Sequence, residues 1–388
     1  MTYGRSLLSL WPLDPDATYL NHGTVGVTPR VVLDAQQRWR DRIERHPARF
    51  MLRELWSFTG STADGPPLIR QAAAEVAAFV GARAEDFVFI DNTSTGVNAV
   101  MRSLPLSPGD EVIITDHAYG GIVTAVKYCA ERAGATVRVV EMPYPAFSAG
   151  ECVDRIASAL TDRTRLVIVD HIAAESALVF PVAHIVQACH ERRVPVLVDG
   201  AHVPGQLALN VSAIGADFYI ANLHKWAMAP RSSAFMVVAP EHQTMIHPPV
   251  ISWGLGSGYL REFDWVGTRD PTPWLTAPDG IRFLQELGYD ALRSYNHDLA
   301  WRAAQTLTSR WNTPLEIDES AVGSMVSVMT PERCGSTKPE AGALRDKLLH
   351  QHNIEVQVHA RAGRVWVRIS AQVYNDEGDI QRLADGCQ

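Results

Sequence analysis

The sequence lacks any grouping of cysteines that would suggest a disulfide framework or a metal centre. Five cysteines are scattered along the 388 residues, and none belongs to a CxxC pair. They are Cys129, Cys152, Cys189, Cys334 and Cys387. An odd, dispersed set is typical of a reducing compartment. We therefore expect a cytoplasmic protein without metal ligands, whose cysteines are packed or exposed side chains rather than nucleophiles.

Long apolar stretches and runs of basic residues are also absent. The N-terminal stretch MTYGRSLLSLWPLDPD has a short apolar run that ends at Pro12, unlike the long apolar region of a signal peptide. No segment approaches the roughly 20 apolar residues that a membrane-spanning helix needs. The formal net charge is −8, and Lys and Arg form no block. We therefore expect neither a membrane nor a nucleic acid as a partner.

What the sequence does have is a regular alternation of short apolar strands and helical patterns between about residues 66 and 240. Seven strands are predicted, at 87–90, 111–116, 136–140, 165–171, 195–202, 217–222 and 233–239. Continuous Val and Ile runs are typical of strands buried on both faces of a sheet. The pattern predicts an α/β fold with a seven-stranded, mainly parallel sheet.

The pattern changes after about residue 275. Helical patterns at 277–288 and 296–311 precede strands at 323–330, 354–360 and 364–370, with a further helix near 341–351 and a surface loop at 335–342. The chain is long enough for two domains. We predict a large domain over 18–270 and a smaller α+β domain over 275–388, with residues 1–17 packed against the smaller one.

Hydroxyl residues follow the first strand of the predicted sheet. Thr93, Ser94 and Thr95 come after strand 87–90, near the start of a helix. Hydroxyls beside the free amides of a helix N-terminus can bind a phosphate. Ser and Thr also cap helices without any ligand. Both interpretations are open on these residues alone.

Three other strand ends carry groups that could act on a ligand. His117 follows strand 111–116, where it could stack on a ring or be a structural histidine. Asp199 lies at a buried strand end, where a carboxylate is costly without a partner such as a protonated ring nitrogen; a helix cap is the alternative. Lys225 follows strand 217–222, where partial burial would lower the pKa of its amine and make it nucleophilic. The alternative there is a surface lysine.

These strand ends together predict one ligand that carries a phosphate, an aromatic ring, a basic ring nitrogen and an aldehyde. Pyridoxal 5′-phosphate (PLP) has all four groups, and Lys225 would bind its aldehyde. A dinucleotide is the alternative cofactor. It has little support, because GLGSG at 254–258 is not a GxGxxG motif and does not lie between a strand and a helix.

The sequence resembles PLP enzymes of the class V aminotransferase fold, and within them the isopenicillin N epimerase-like branch. The resemblance runs from YLNHGTVGVTPR to the end of the chain. Its motifs are DNTSTGVNAV, DHAYGG, VDGAHVPG, NLHKWAMAP, WVGTRDPTPW and RVWVRISAQVYND. The pair VDGAH and HKW is the most specific of these features. The resemblance implies PLP fold type I and PLP as cofactor.

The resemblance also implies roles for individual residues. Lys225 would hold PLP covalently, Asp199 would pair with its ring nitrogen, and His117 would stack on the ring, so we predict these three as catalytic. The predicted cofactor-binding residues are Thr93, Ser94, Thr95, His117, Asp199, His202, His224, Lys225 and Thr268. The predicted substrate-binding residues are Arg368, Asn21, His22 and Arg53, with Arg368 as the carboxylate clamp. Thr268 would reach the phosphate of a neighbouring subunit, which implies a homodimer with shared active sites.

Two departures from the family pattern bear on the reaction. Cysteine desulfurases of this class carry a catalytic cysteine before the arginine strand, whereas NIEVQVHARAGRVWVR has none. The position after His171 that usually holds Asn, Ser or Thr is Ala174 here, and Glu175 follows it. The first departure argues against a persulfide mechanism. The second leaves the outcome of the reaction open.

The sequence thus predicts an enzyme that acts at the α-carbon of an amino-acid substrate. An epimerase-like removal of the α-proton is the first hypothesis, and Tyr119, His22 and Glu175 are candidates for the second acid that inversion needs. A C–S (β or γ) lyase and an aminotransferase are the alternatives. A non-catalytic binding protein is disfavoured, because Lys225 and Asp199 are both present.

Overall fold

The computed structural model describes residues 2–57, 62 and 65–387. The strands in these ranges are Thr18–Tyr19 (β1), Phe87–Ile90 (β2), Glu111–Thr115 (β3), Thr136–Val140 (β4), Thr164–Asp170 (β5), Val196–Asp199 (β6), Phe218–Asn222 (β7), Ala234–Val238 (β8), Met325–Met329 (β9), Ile354–Glu355 (β10), Gln357–Arg361 (β11) and Arg364–Ser370 (β12).

The α-helices in these ranges are His22–Val25 (α1), Arg30–Arg45 (α2), Pro47–Arg49 (α3), Leu68–Val80 (α4), Thr93–Ser103 (α5), Gly120–Ala133 (α6), Ala149–Ala159 (α7), Val182–His190 (α8), Val211–Ile214 (α9), Tyr259–Asp264 (α10), Thr272–Leu275 (α11), Ala277–Glu286 (α12), Tyr289–Trp311 (α13), Lys338–His352 (α14) and Glu377–Gly386 (α15). A π-helical turn covers Phe50–Leu55, and short 3₁₀ segments cover Arg5–Leu10, Pro240–Met245, Glu319–Ala321 and Glu332–Cys334.

One seven-stranded sheet forms the centre of the molecule, in the order β2-β8-β7-β6-β5-β3-β4. Strand β8 runs antiparallel to its neighbours β2 and β7, and the remaining adjacent pairs are parallel. All seven predicted strands occur at their predicted places. The predicted seven-stranded, mainly parallel sheet is therefore confirmed.

Both faces of this sheet are covered by helices, as continuous apolar strands require. Val198 packs in a core with Val76 of α4 and Ile185 of α8. Its neighbour Leu197 points the other way and packs in a core with Val97 of α5. Since successive side chains of a strand face opposite sides, every residue of β6 is buried. Asp170 and Asp199 come at the carboxyl ends of β5 and β6, where the parallel strands form a common edge.

A second, three-stranded antiparallel sheet lies nearer the C-terminus, in the order β11-β12-β9. The predicted strand 354–360 is divided at Val356, since β10 pairs in parallel with β1 and β11 pairs with β12. The N-terminal segment also meets this region, because Gly4 N–H donates to the carbonyl of Val373 over 2.7 Å. The domain boundaries 18–270 and 275–388 stay predictions.

The surface loop predicted at 335–342 is wrong in its second half, because helix α14 begins at Lys338. Thr337 accepts a hydrogen bond from Glu340 N–H, and the Glu340 carboxylate accepts one from Thr337 N–H, a capping box. Pro339 fits the first turn, where no intrahelical donor is needed. The Gly, Ser, Thr and Pro residues that indicated a loop instead start the helix.

No helix in the described ranges has the length and apolar character to cross a membrane. The five cysteines are all free thiols.

Candidate active site

The carboxyl edge of the large sheet opens into a cleft of about 730 Å³. Residues that follow β2, β3, β5, β6 and β7 line it, together with Gly23, Thr24, Gln357 and Arg368. The predicted site residues that line it are Thr93, Ser94, His117, Asp199, His202, His224, Lys225 and Arg368. Side chains that are far apart in the sequence are thus brought to one cleft by the strand order.

Lys225 lies three residues beyond the end of β7 and points into the cleft. Its Nζ is 3.1 Å from Nε2 of His202, within hydrogen-bonding distance. Burial, and then the positive charge of Arg368, lower the pKa of the Lys225 amine to about 8. The amine is therefore partly unprotonated near neutral pH, which an attacking or proton-accepting amine requires.

Two carboxyl groups lie side by side at the ends of adjacent strands, where the charge of Lys225 acts on both. Asp199 ends β6, Asp170 ends β5, and the two are partners in the strand register. Both are buried. Burial raises the pKa of Asp199 to about 6, and burial together with the charge of Asp199 raises the pKa of Asp170 well above its ordinary value. The backbone N–H of Ala201 donates to Asp199 over 2.9 Å.

His117 lies in a buried position after β3. Its Nδ1 is 2.7 Å from Oγ of Ser176, and its Nε2 is buried without a hydrogen-bond partner among the described residues. Tyr144 and Phe180 contact the ring edge to face, at 5.4 and 5.6 Å between centroids. Burial, and then the charge of Arg361, lower the pKa of His117 to about 3. The imidazole is therefore neutral, as a ring that stacks on another ring should be.

The hydroxyl residues at the N-terminus of α5 were predicted either to bind a phosphate or to cap the helix. Asn92 caps the helix, accepting from Thr95 N–H over 3.0 Å and from the Thr95 hydroxyl over 3.3 Å. Asn222 accepts from Thr93 N–H over 3.1 Å. The cap is thus an asparagine, and the hydroxyls of Thr93 and Ser94 are not used for capping. Both residues line the cleft, whereas Thr95 does not.

Arg368 is held from three sides on β12. It donates to the carbonyl of Ala174, to Asn21 Oδ1 over 3.2 Å and to the Thr24 hydroxyl over 2.8 Å. Burial lowers the pKa of Arg368 to about 10, so that it stays protonated near neutral pH. Asn21 is itself fixed, because it donates to Glu355 over 2.9 Å. The guanidinium is thereby oriented before any carboxylate binds to it.

These groups fit PLP: a partly unprotonated lysine amine, a buried carboxyl pair, a neutral imidazole and uncommitted hydroxyls at a helix N-terminus. Residues 28–383 match the family Aminotransferase class-V. The chain belongs to this family. Its members depend on PLP, and the protein is accordingly a PLP-dependent enzyme of fold type I.

Two groups of relatives of this class V enzyme share most of its length. A "Probable L-cysteine desulfhydrase, chloroplastic" of Arabidopsis thaliana is 32% identical over 96% of this chain and 82% of its own. The "Isopenicillin N epimerase" of Amycolatopsis lactamdurans is 32% identical over 96% of this chain and 95% of its own. The resemblance predicted from the motifs is thereby confirmed. The relatives carry two different reaction names.

Solved structures show the same fold. A mutant of C-DES with glycine covalently linked to its PLP cofactor matches with a TM-score of 0.80 at 23% identity, over 98% of each chain. The cystine C–S lyase C-DES in complex with cysteine persulfide matches with a TM-score of 0.78 at 24% identity, over 96% of this chain and 97% of the other.

Five predicted site residues of the class V enzyme do not line its cleft in the described structure: Thr95, Asn21, His22, Arg53 and Thr268. His22 is fully buried, with Nδ1 2.9 Å from the Tyr374 hydroxyl and Nε2 3.0 Å from the Lys225 carbonyl. Asn21 lies behind Arg368. Arg53 and Thr268 are exposed on the surface. Their roles stay predictions, and His22 is placed to support the Lys225 backbone.

Sequence reasoning missed three residues of this site. Asp170 ends VIVD in the same way that Asp199 ends VLVD, so its signal was present in the sequence. Asp116 likewise follows the apolar run EVIIT, whereas Thr24 has no such local signal. Thr24 matters because it holds Arg368, and Asp116 lines the cleft while it accepts from Arg361.

No metal ligand was predicted for the class V site. Asp217, Glu241 and His242 form the group of potential metal ligands found in the described ranges. They lie near the amino end of β7, away from the cleft at its carboxyl end.

Proposed function

We propose that the protein removes the α-proton of an amino-acid substrate, with Lys225 as the base. The observation that carries the proposal is the placement of Lys225 and Arg368 in one cleft. Arg368 is protonated and oriented to bind an α-carboxylate, and the Lys225 amine, with a pKa of about 8, can accept a proton. PLP, when bound, supplies the electron sink that makes the α-proton acidic enough to remove.

The other cleft residues prepare these two groups for their task. Asp199 would keep the ring nitrogen of the cofactor protonated, since a buried carboxylate gains from a cationic partner. His117 would cover the ring without adding charge. Thr93 and Ser94 would bind the phosphate at the N-terminus of α5, where the helix dipole favours an anion.

We propose β-elimination of a sulfur group as the outcome of proton removal. The proton passes to the Lys225 amine, the C–S bond breaks, sulfur leaves as a thiolate, and a double bond forms between the α- and β-carbons. Hydrolysis then gives pyruvate and ammonia. A thiolate is stable enough to leave without an acid, so one base suffices. The names of the desulfhydrase relatives support this outcome.

Inversion at the α-carbon is the second candidate, supported by the epimerase relatives. It requires an acid on the face opposite to Lys225. The sequence placed inversion first and named His22 among three candidates for that acid. His22 lies outside the cleft, whereas Tyr119 and Glu175 line it. Because one of the three candidate acids is lost, we rank inversion as a less favoured outcome than elimination. We have no observation that favours transamination.

The test is incubation of the holoenzyme in D₂O with a panel of amino acids that includes cysteine, cystine and S-alkyl cysteines. Mass spectrometry would follow α-deuterium, and coupled assays would follow pyruvate, thiol and ammonia. We expect α-deuterium exchange together with pyruvate release. Exchange with inversion and no pyruvate would favour the epimerase, and formation of a pyridoxamine cofactor would favour the aminotransferase.

Attachment of the cofactor is tested by borohydride reduction and peptide mapping. The chain has four lysines, so Lys127, Lys338 and Lys347 serve as internal controls. We expect the reduced adduct on Lys225. An adduct on another lysine, or none after PLP is supplied, would contradict the proposal.

We further propose that the enzyme is a homodimer with shared active sites and that it works in the cytoplasm. Thr268 is exposed on the single chain, as a residue donated to a neighbour would be. A nearby exposed apolar segment, with Val250, Ile251, Trp253 and Leu255 all more than half exposed, supports a second copy as its partner. The free thiols support a reducing compartment.

A further inference from the structure

Glu175 lies in a tight turn at the rim of the cleft. Ala173 N–H donates to the Leu178 carbonyl over 3.0 Å, and Ala177 N–H donates to the Ala173 carbonyl over 3.1 Å. Ala177 has a left-handed φ of 61°. The turn that carries Glu175 is therefore closed by its own backbone, and the position of its Cα is defined.

The residues on either side of Glu175 are tied to the site. The carbonyl of Ala174 accepts from Arg368, and Oγ of Ser176 is 2.7 Å from Nδ1 of His117. Glu175 is thus fixed between the proposed carboxylate clamp and the proposed ring-stacking histidine. Its side chain lines the cleft and is exposed.

Glu175 makes no hydrogen bond or ion pair with another described residue, in contrast to the other acidic groups that line the cleft. The Asp116 carboxylate accepts from Arg361, and Asp170 and Asp199 form the buried pair whose pKa values are raised by burial. Among the described lining residues, Glu175 is therefore the carboxylate without a hydrogen-bonded or ion-paired partner, and its charge acts at longer range on Arg368.

We propose that Glu175 selects amino-acid substrates whose side chain carries a positive charge. This inference rests on the proposed function, in which Arg368 binds the α-carboxylate and the amino group would react with the cofactor that Lys225 holds. In that orientation the side chain would extend from the α-carbon toward the rim, where Glu175 lies. An ammonium group there meets a carboxylate that lacks a partner, a neutral side chain leaves it unpaired, and an acidic side chain is repelled by it.

The test is equilibrium binding to the holoenzyme, followed by the visible absorbance of the bound cofactor. The probes are L-lysine and L-ornithine, L-norleucine, which has the four side-chain carbons of lysine without the ammonium, and L-2-aminoadipate, which has an acidic side chain. We expect the cationic probes to bind about 5-fold more tightly than norleucine, as for a partly exposed ion pair, and aminoadipate to bind more weakly.

Two variants and a control assign the preference to Glu175. Glu175→Gln should give the cationic and neutral probes equal affinities, and Glu175→Lys should reverse the order in favour of aminoadipate. Glu191→Gln changes an exposed glutamate at the opposite end of the sheet and should leave the order unchanged.

The possible outcomes separate the two proposals. If amino acids change the spectrum but the order of affinities is the same in the wild type and Glu175→Gln, the selectivity role is wrong and the proposed function stands. If Glu175→Gln lowers the affinity for all probes equally, the selectivity role is likewise wrong, and Glu175 has a general role in the cleft. If no amino acid changes the spectrum of PLP-loaded protein or exchanges its α-proton, the proposed function fails and this inference with it.

Discussion

At the scale of single residues, the cleft depends on carboxyl groups whose charge is set by burial. Asp199 is nearly inaccessible, with 3% of its surface exposed, and it accepts a hydrogen bond from the backbone N–H of Ala201. An asparagine has the same shape and keeps that hydrogen bond, since its carbonyl oxygen can also accept. It cannot carry the negative charge that holds a ring nitrogen protonated.

Asp199→Asn should therefore still attach PLP to Lys225 but should lower the α-proton exchange rate by about 100-fold or more, a loss typical of removing one preorganised charge. Borohydride reduction measures attachment, and deuterium incorporation measures exchange. An exchange rate equal to that of the wild type would show that Asp199 does not support the electron sink.

The pKa of the Lys225 amine gives a second prediction at this scale. Burial lowers this pKa from 10.5 to about 8, so the unprotonated amine is present well below the pH at which an ordinary lysine loses its proton. The rate of PLP attachment to the apoprotein should rise with pH and reach half its plateau at about pH 8. Stopped-flow absorbance between neutral and alkaline pH measures it. A midpoint near the ordinary value of 10.5 would contradict the burial of the amine.

At the scale of elements, the turn after helix α1 supports the segment that carries Lys225. Gly26 has a φ of +70°, and a Cβ there would lie 1.9 Å from the carbonyl oxygen of His224. Both the backbone conformation and the close approach therefore require glycine. Gly150, in the first turn of α7, has no such neighbour within 4 Å and no positive φ.

Gly26→Ala should destabilise the protein by about 2–3 kcal/mol, through overpacking and left-handed strain, and weaken PLP retention because the backbone before Lys225 must move. Gly150→Ala is the matched control, since Gly150 does not line the cleft, and it should change stability by less than about 1 kcal/mol. Thermal unfolding and the cofactor content after gel filtration measure both. Equal behaviour of the two variants would rule out the supporting role of Gly26.

A second set of elements is joined at the amino end of β7. Nε2 of His190 and Nε2 of His242 each lie 2.8 Å from Asp217, and Val196 N–H donates to the same carboxylate over 2.7 Å. The hydrogen bond to Asp217 raises the pKa of His242 above 6.5. Burial raises the pKa of Asp217, but the hydrogen bonds from His242, His190 and Val196 outweigh it and bring the pKa below 3.8.

The signs of these two shifts define a pH window. The stabilisation from His242 is complete below pH 6.5 and is lost as the pH rises through its raised pKa, whereas that from Asp217 is lost as the pH falls below 3.8. His242→Ala should therefore cost about 1 kcal/mol near pH 5.5 and less near pH 8.5. His350→Ala, an exposed histidine at the end of α14, is the control. An equal cost at both pH values would contradict the linkage.

At the scale of the whole molecule, the proposed homodimer makes each active site depend on two chains. In the proposed dimer, Lys225 of one subunit acts together with Thr268 of the other, which completes the phosphate site. When Lys225→Ala and Thr268→Ala subunits are mixed, some of them form heterodimers. Each heterodimer has one site in which both residues are intact. Mixing two weakly active variants should then restore about a quarter of the wild-type sites, given random pairing in a two-fold dimer. Activity that stays at the sum of the separate variants, or a monomer in analytical ultracentrifugation, would contradict shared sites.

Much of the fold and part of the cleft could be predicted from the sequence, because the signals are local. Apolar runs gave the seven strands, and the residues after them gave Lys225, Asp199 and His117. Contacts between distant segments have no such signal. Asn21 and Arg368 are 347 positions apart, and their hydrogen bond appears only when β12 lies beside the N-terminal segment. His22 was placed in the cleft for the same reason: its partner Tyr374 could not be foreseen.

The order of the large sheet also bears on how the chain folds while it is being synthesised. Strand β2 is made first of the seven but lies at one end of the order beside β8, which is made last. Likewise Thr18 pairs with Ile354. Both pairings join segments that are far apart in the sequence. They form slowly, because the chain between them loses conformational entropy before the strand contacts form. A nascent chain therefore keeps Phe87–Ile90 without its partner strand until β8 has left the ribosome, and chaperones that bind apolar extended segments have that interval in which to act.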